Sequence, residues 1–197
     1  MSVLFKGGTI VNATGRYLAD VFADGDKIKA IGTNLDNGAD DVVDAKGKYI
    51  LPGAIDPHTH ISMPFMGTHA QDDYETGTIA AACGGVTCIV DFDLQQKGET
   101  LFEALERKKA LAEGKVCVDY SLHPAVMDPR PDVIDEVKKA CLEYGTPSFK
   151  IFMVYDFRVD DATMIKLLEV TKQYGLSLIH ISEPTRLLRR SRMPSSA

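Results

Sequence analysis

Hydrophobic and polar residues follow two different patterns along most of the chain. Up to about residue 51, short apolar runs typical of strands alternate with turn residues. The runs at residues 3–5 and 9–11 flank a predicted Gly7-Gly8 turn, and Asp24-Gly25-Asp26 separates two further runs as in a hairpin. A sheet of this size is marginal alone, so we expect it to lean on the rest of the protein or to complete itself with a distant segment.

After residue 51, apolar strand patterns alternate with helical patterns. Strands are predicted at residues 54–56, 87–92, 118–122 and 148–154, with a fifth candidate at 176–179. Helices are predicted at residues 76–83, 100–113, 133–144 and 161–174, the last capped by Asp160 and ended by Gly175. This α/β alternation with short connections indicates a parallel sheet, either doubly wound or a (β/α)8 barrel. Four to five units are about half of a barrel.

The end of the chain, residues 176–197, has a third pattern. Four arginines (Arg186, Arg189, Arg190 and Arg192) stand there with a single acidic residue, Glu183. Such a change in charge is typical of a solvated or nucleic-acid-binding tail. However, residues 178–186 resemble a translated sequencing-adapter read-through, and the segment lacks the periodicity of a packed element. We therefore interpret residues 176–197 as a non-native tail.

Charge and composition exclude some classes of partner. A formal net charge of −6 at pH 7 disfavours nucleic acid and anionic membranes, which both require a basic patch. No run approaches the ~20 apolar residues that cross a bilayer. The first residues lack a signal-peptide pattern, and the cysteines, which show no CxxC spacing, are interpreted as reduced thiols. We expect a cytoplasmic protein, and its charge does not exclude a small polar substrate.

The strongest chemical pattern is Asp56-Pro57-His58-Thr59-His60, at the end of an apolar strand. Because side chains alternate along a strand, His58 and His60 should point the same way, with Thr59 opposite. Two such imidazoles can hold one metal ion, and parallel barrels build their sites at the carboxyl ends of their strands. The alternative is a pair of solvated histidines at the start of a loop. The strand and Asp56 favour the metal site.

A second candidate is Lys150, which stands in the middle of an apolar strand pattern. Its charge must lie in the interior or reach out to solvent. A desolvated lysine with a lowered pKa can form a Schiff base. Alternatively, its neutral amine can take up CO2 to give a carbamate, an anion able to bridge two metal ions. The histidine pair favours the carbamate, because an ammonium would be repelled by a bound dication.

Three segments resemble the dihydropyrimidinases and hydantoinases, a family of the metal-dependent amidohydrolase superfamily. Residues 53–68, with Asp56 to His60 and Met63-Pro64-Phe65, resemble its first strand and loop. Residues 72–87 resemble its next helix and strand, and residues 148–155 resemble its carbamylated-lysine strand. The resemblance implies a (β/α)8 barrel plus a small β-sandwich made from both chain termini. We therefore expect part of the β-sandwich at residues 1–51 and the first half of the barrel at 52–175.

The resemblance also implies roles for individual residues. His58 and His60 resemble the ligands of the more buried metal, and Lys150 resembles the carbamylated bridge between two divalent ions, expected to be zinc. Tyr155 resembles the tyrosine that hydrogen-bonds the substrate and its developing oxyanion; otherwise it is an ordinary loop tyrosine. Phe65 resembles a hydrophobic loop residue near the substrate's exocyclic group; otherwise it is a packing aromatic.

Some functional residues of the family have no secure counterpart in this chain. In the family, two further histidines bind the second metal, and a late aspartate is a ligand and proton shuttle. His180 falls near the first missing histidine, but its flanking residues differ from the family pattern. His69 and His123 lie outside the motif, and we interpret them as surface or hydrogen-bonded histidines.

The resemblance implies that the full-length protein hydrolyses the ring amide of 5,6-dihydropyrimidines or hydantoins to N-carbamoyl amino acids. It further implies a homo-oligomer, expected to be a tetramer, whereas the 197-residue chain alone is expected to be inactive. Allantoinase and dihydroorotase share the histidine pair and the lysine, but Met63-Pro64-Phe65 and Tyr155 favour dihydropyrimidinase.

Two other classes remain as alternatives. Collapsin-response-mediator-like proteins share the fold but are non-catalytic assembly proteins. They lack the intact set of metal ligands, so the presence of His58, His60 and Lys150 argues against them. The other alternative is a lysine Schiff-base enzyme, which borohydride trapping with a keto substrate would distinguish from a metal enzyme.

Overall fold

The computed structural model describes residues 1–36, 38–65, 67–146 and 148–181, and the chain divides into two units between Gly53 and Ala54. The first unit holds five strands: β1 (Ser2–Asn12), β2 (Gly15–Asp24), β3 (Lys27–Gly32), β4 (Asp41–Asp44) and β5 (Tyr49–Ile50). They form one mixed sheet in the order β3-β2-β1-β4, with β5 also paired to β1. The predicted hairpin at Asp24-Gly25-Asp26 is confirmed, since β2 and β3 pair antiparallel across it.

The predicted turn at Gly7-Gly8 is wrong, because β1 continues through both glycines without reversing direction. The pairing of β1 with β2 shifts between Phe5 and Gly8, which is a β-bulge. Gly7 has a φ of 68° and donates its N–H to Asp20 at 2.7 Å. A Cβ at Gly8 would lie 2.5 Å from Ile50 Cδ1. The glycines thus serve a bulge and a close approach, which the sequence pattern does not distinguish from a turn.

The second unit alternates strands and helices. Its strands are β6 (Ala54–Thr59), β7 (Pro64–Phe65), β8 (Thr68–His69), β9 (Val86–Leu94), β10 (Asp119–Val126), β11 (Ser148–Phe152) and β12 (Ser177–Ile181). Its helices are α1 (Tyr74–Cys83), α2 (Leu101–Ala112), α3 (Val133–Tyr144) and α4 (Asp161–Tyr174). Apart from the small β7–β8 hairpin, the strands form a parallel sheet in the order β12-β11-β10-β9-β6. Each neighbour follows the previous strand in the chain through a helix, which confirms the predicted half of a (β/α)8 barrel.

The helices cover one face of this sheet. Phe149 and Ile151 of β11 pack in a core with Leu105, Val137 and Leu167 from α2, α3 and α4. Because side chains alternate along a strand, the neighbouring Lys150 points to the opposite face, which is the inside of the half-barrel.

The predicted limits of α4 are confirmed at both ends. The Asp160 side chain accepts a hydrogen bond from Thr163 N at 2.9 Å, and Gly175 ends the helix with a φ of 66°. The fifth strand candidate is present as β12, parallel to β11. Residues 182–197 lie outside the described part of the chain, so the non-native tail and the domain limits stay predictions. Among the described residues, no helix is long and apolar enough to cross a membrane.

Candidate metal centre

The end of β6 carries the histidine pair, and its pairing with β9 is irregular there. The register shifts between Asp56 and Thr59, where Pro57 lacks the N–H that a regular ladder needs. Asp56 instead accepts the N–H of His58 at 3.1 Å. Irregular pairing of this kind commonly redirects side chains beside functional sites.

His58 and His60 lie side by side against one aromatic ring, that of Phe92 on β9. The centroids of the two imidazoles are 5.2 Å apart, and they lie 4.5 Å and 5.3 Å from the Phe92 centroid. Both histidines are exposed residues, whereas Phe92 is fully buried. The strand alternation argued from the sequence thus brings the two imidazoles to one side, and their open edges can receive a ligand.

Lys150 approaches the same Phe92 ring from β11. Its Nζ lies 3.9 Å from the Phe92 centroid and 5.1 Å from that of Phe152. The residue is 1% exposed, so the amine does not reach out to solvent. Among the described residues its amine forms no ion pair or hydrogen bond, and it instead makes cation–π contacts with these two rings. This is an interior amine beside two imidazoles, without an anionic partner in the described part of the chain.

The electrostatics of this cluster favour neutral nitrogen atoms. Burial lowers the pKa of Lys150 below its ordinary value. Burial also lowers the pKa of His58 and of His60, and in both the charge of Lys150 lowers it further. Neutral imidazoles and a neutral amine are the forms that bind a metal or react with CO2. Within the described residues no three His, Cys, Asp or Glu side chains form a group that could hold a metal ion.

His123 lies on the same inner face, a position that sequence reasoning did not assign to the site. Its ring centroid is 4.9 Å from that of Phe92, and the residue is buried. Nε2 is 3.0 Å from the Pro57 carbonyl, which can only accept, so Nε2 carries the proton. Burial lowers the pKa of His123, and in the neutral ring Nδ1 accepts the hydroxyl of Ser148. The interpretation of His123 as a hydrogen-bonded histidine is confirmed. The register of β10 against β9, which pairs His123 with Phe92, is the signal that could have placed it here.

Tyr155 follows β11 in a tight turn. It has a φ of 71°, is 43% exposed, and its ring lies 5.2 Å from that of Phe157 and 6.2 Å from that of Phe152. A non-glycine residue in the left-handed region is strained, and such strain is concentrated at functional sites. The turn is closed by a hydrogen bond from Val159 N to Phe152 O at 3.0 Å. The substrate-binding role of Tyr155 stays a prediction.

The remaining candidates lie in different places. Phe65 belongs to β7, but its side chain is outside the described part of the structure. His69 is exposed on β8, as predicted for a surface histidine. His180 pairs with Ile151 in the register of β12 on β11, and its side chain is not described.

A cavity of about 440 Å³ lies beside the site, between the loop at residues 62–73, the end of β9 and α2. Phe92 and Asp93 both line it. Asp93 is 1% exposed, and its Oδ2 has no hydrogen-bond partner among the described atoms. Burial raises the pKa of Asp93 to about 6, although Arg107 lies 3.3 Å from its other oxygen. Phe92, which lines this cavity, also contacts both histidines, so the cavity is a neighbouring feature of the site.

Comparison with known proteins gives a consistent result. Residues 49–187 match the sequence profile of the amidohydrolase family. The chain is 47% identical over 183 residues to a D-hydantoinase of Geobacillus stearothermophilus, covering 91% of this chain and 39% of that protein. It is 41% identical over 180 residues to a dihydropyrimidinase of Rattus norvegicus, covering 88% and 35% respectively.

Solved structures show the same likeness. A crystal structure of dihydropyrimidinase from Brevibacillus agri superposes with a TM-score of 0.90 at 42% identity, covering 96% of this chain and 41% of that one. The predicted resemblance to hydantoinases and dihydropyrimidinases is therefore confirmed. The chain spans about two fifths of the length of these relatives.

Proposed function

Because the chain belongs to the amidohydrolase family, we propose that the full-length protein hydrolyses the ring amide of 5,6-dihydropyrimidines or hydantoins to N-carbamoyl amino acids. By full-length protein we mean one that contains this chain and extends to the length of its relatives. The observation that carries the proposal is the meeting of His58, His60 and Lys150 around the Phe92 ring. The names of the similar proteins support the substrate class.

The residues present fit a metal centre. Two imidazoles with lowered pKa values are ready-made nitrogen donors, and they share one side of β6. The buried Lys150 amine, whose pKa is lowered, can add to CO2 through its lone pair and release one proton, which leaves an anionic carbamate. We propose that this carbamate, together with His58 and His60, would hold two divalent ions, zinc being the expected metal. When bound, two such ions polarise the ring carbonyl and make water a better nucleophile.

The other residues of the site are proposed to orient the substrate or to hold the strand that carries the histidines. Tyr155 lies just after the strand that carries Lys150, where its phenol can donate to the oxygen that gains charge in the tetrahedral transition state. The Phe65 loop is proposed to contact the substituent outside the ring. His123 is proposed to keep β6 in place through its bond to the Pro57 carbonyl.

The wider setting of the protein is also proposed. It is expected to act in the cytoplasm on small cyclic amides, without nucleic acid or membrane partners, and to form a homo-oligomer, with a tetramer expected. Residues 1–51 are proposed to form part of a β-sandwich and residues 52–175 the first half of the barrel, with 176–197 as a non-native tail.

A test of the proposed function is a ring-opening assay on the full-length protein. Dihydrouracil and hydantoin should be hydrolysed by zinc-loaded protein, and treatment with a chelator should remove the activity until zinc is restored. Allantoin and dihydroorotate, tested in parallel, distinguish the two related activities. Turnover of either of these in place of the first two substrates would overturn the substrate assignment, and activity that persists without metal would overturn the mechanism.

A further inference from the structure

A buried polar network lies behind the histidine strand, on the helix side of the sheet. Asp91 of β9 is fully buried, and its Oδ2 accepts the hydroxyl of Tyr74 at 2.9 Å and the ammonium of Lys108 at 2.9 Å. Its Oδ1 accepts the backbone N–H of Ile61 at 3.0 Å and the hydroxyl of Thr59 at 3.2 Å. The four acceptor positions of the carboxylate are therefore filled.

Two of the partners of this carboxylate flank His60 in the sequence. Thr59 precedes His60, and Ile61 follows it. Lys108, which is 3% exposed, donates a second hydrogen bond to the Ile61 carbonyl, so both backbone groups of Ile61 are held by the Asp91–Lys108 pair. The network joins α1, α2 and β9 to the end of β6 through these bonds.

The sheet ladder holds this end of β6 only irregularly. Within the described residues β6 is the edge strand of the sheet, with β9 as its single neighbour. The register of β6 on β9 shifts between Asp56 and Thr59, and Thr59 then pairs with Asp91 just before His60. Because an irregular edge strand is less firmly specified by its ladder, the side-chain bonds of Asp91 and Lys108 add restraints on either side of His60.

Energetics argue against a purely stabilising role for this network. A buried ion pair is often no more stabilising than apolar residues of the same volume, because both charges lose their hydration. Lys108 and Asp91 are both almost completely buried, so this cost is large. What the pair provides, and apolar residues could not, is a fixed position for the Ile61 peptide and the Thr59 hydroxyl.

We propose that Asp91 and Lys108 are positioning residues, which hold His60 in the orientation that it needs as a metal ligand. This inference rests on the proposed function only for the presence of the metal. The pair acts through the Thr59 hydroxyl on one side of His60 and the Ile61 peptide on the other.

The test measures zinc affinity in the full-length protein, by titrating the zinc-loaded protein with a competing chelator and determining bound zinc. Asp91→Asn keeps the shape of the side chain but removes its charge. It should lower the zinc affinity by about tenfold or more, which is the usual effect of removing a partner that orients a ligand. Thr59→Val leaves the ion pair intact and removes one hydrogen bond, so it should lower the affinity by about two- to tenfold.

Glu136→Gln is the matched control for the loss of a buried carboxylate. Glu136 is buried on α3, pairs with Arg130 at 2.6 Å and accepts the N–H of Leu101 at 2.8 Å, so none of its bonds reaches β6. This variant should lower the melting temperature and leave the zinc affinity unchanged. If the Asp91→Asn protein does not fold, the zinc affinity of the Thr59→Val protein decides whether the positioning role is correct.

The possible outcomes separate the two proposals. Wild-type zinc affinity in Thr59→Val and in any folded Asp91→Asn protein would overturn the positioning role, and so would an equal loss of affinity in Glu136→Gln. A wild-type full-length protein that binds no zinc would instead contradict the proposed function, and the inference with it.

Discussion

Lys150 has an environment that a structural lysine does not need. Its amine is almost fully buried, lies 3.9 Å from the centre of the Phe92 ring and is near two imidazoles. A cation–π contact compensates only part of the hydration that a buried ammonium loses. The proposed conversion to a carbamate would replace the cation with an anion, which could hold metal ions together with the neighbouring imidazoles.

Replacement of this amine tests the bridge directly. In the full-length protein, Lys150→Ala should lose bound metal and activity together, because nothing else among the described residues supplies an anion at this position. Small carboxylic acids added to the solution should restore a little of both, since they can occupy the vacated space. Metal analysis and the ring-opening assay measure the two effects, and a fully active variant with its metal intact would refute the bridge.

Tyr155 and the two histidines should respond differently to substitution. His58→Ala or His60→Ala should abolish metal binding, because each removes one of two neighbouring donors. Tyr155→Phe should keep the metal, since the phenol lies beyond the strand end, but lower kcat by on the order of 10²–10³, the usual loss for one oxyanion donor. Metal content measured beside steady-state kinetics checks both. Loss of metal in Tyr155→Phe, or retention of metal in His58→Ala, would show that the assigned roles are wrong.

At the scale of single residues, what could be predicted depended on how residues are spaced within one segment of the sequence. His58 and His60 are two residues apart in a strand pattern, so their shared side followed from alternation alone. Lys150 was recognisable because a charge interrupts an apolar run. The bonds of Asp91 with Lys108, Tyr74 and Ile61 join segments that are distant in the sequence, and no local pattern indicates which buried carboxylate meets which cation.

Helix α1 approaches the chain that follows His60 very closely, and Gly77 makes this approach possible. A Cβ at Gly77 would lie 2.8 Å from Ile61 Cδ1 and 3.2 Å from Ile61 Cγ1. Ile61 is 6% exposed and packs in a cluster with Tyr74 and Ile89. The contact between α1 and the end of β6 therefore depends on the missing side chain, although glycine weakens a helix by about 1 kcal/mol.

A double-mutant cycle tests this packing. Gly77→Ala should lower stability, because crowding against Ile61 costs about 1–3 kcal/mol and exceeds the gain in helix propensity. Ile61→Val removes the Cδ1 atom that the added methyl group would meet, at a cost of about 0.5–1.5 kcal/mol. The double variant should be more stable than the sum of the single effects by about 0.5 kcal/mol or more. Urea unfolding of the full-length protein measures all three, and additive effects would show that α1 adjusts freely.

At the scale of elements, regular patterns were predictable and exceptions were not. Asp160 and Gly175 marked the ends of α4 because caps act within one helical turn. Gly7 and Gly8 misled the prediction because glycine permits both a turn and a bulge, and the choice depends on β2 and β5 lying beside β1. The break at Pro57 likewise becomes visible only when β6 is paired with β9.

The whole molecule presents a sheet that is not closed within the described residues. β6 and β12 each have a partner on one side, and a (β/α)8 barrel closes by pairing its first strand with its last. Unpaired edges of parallel strands are sites of aggregation. The alternation of strand and helix patterns in the sequence predicted the parallel sheet. It could not establish whether the sheet closes into a barrel, because closure pairs strands that are far apart in the chain.

The last prediction concerns the 197-residue polypeptide expressed alone. It should bind zinc weakly and show no ring-opening activity, because its described residues supply two imidazoles and one lysine and no further group of metal-binding side chains. The open edges of its parallel sheet, β6 and β12 within the described residues, should also make it associate, which size-exclusion chromatography would detect as species larger than 21.5 kDa. The full-length protein, prepared in the same way, is the control for assay and folding. Dihydrouracil turnover by the short chain that exceeds a metal-free control would show that half of the barrel is sufficient for catalysis, and the proposed need for the remaining ligands would then be wrong.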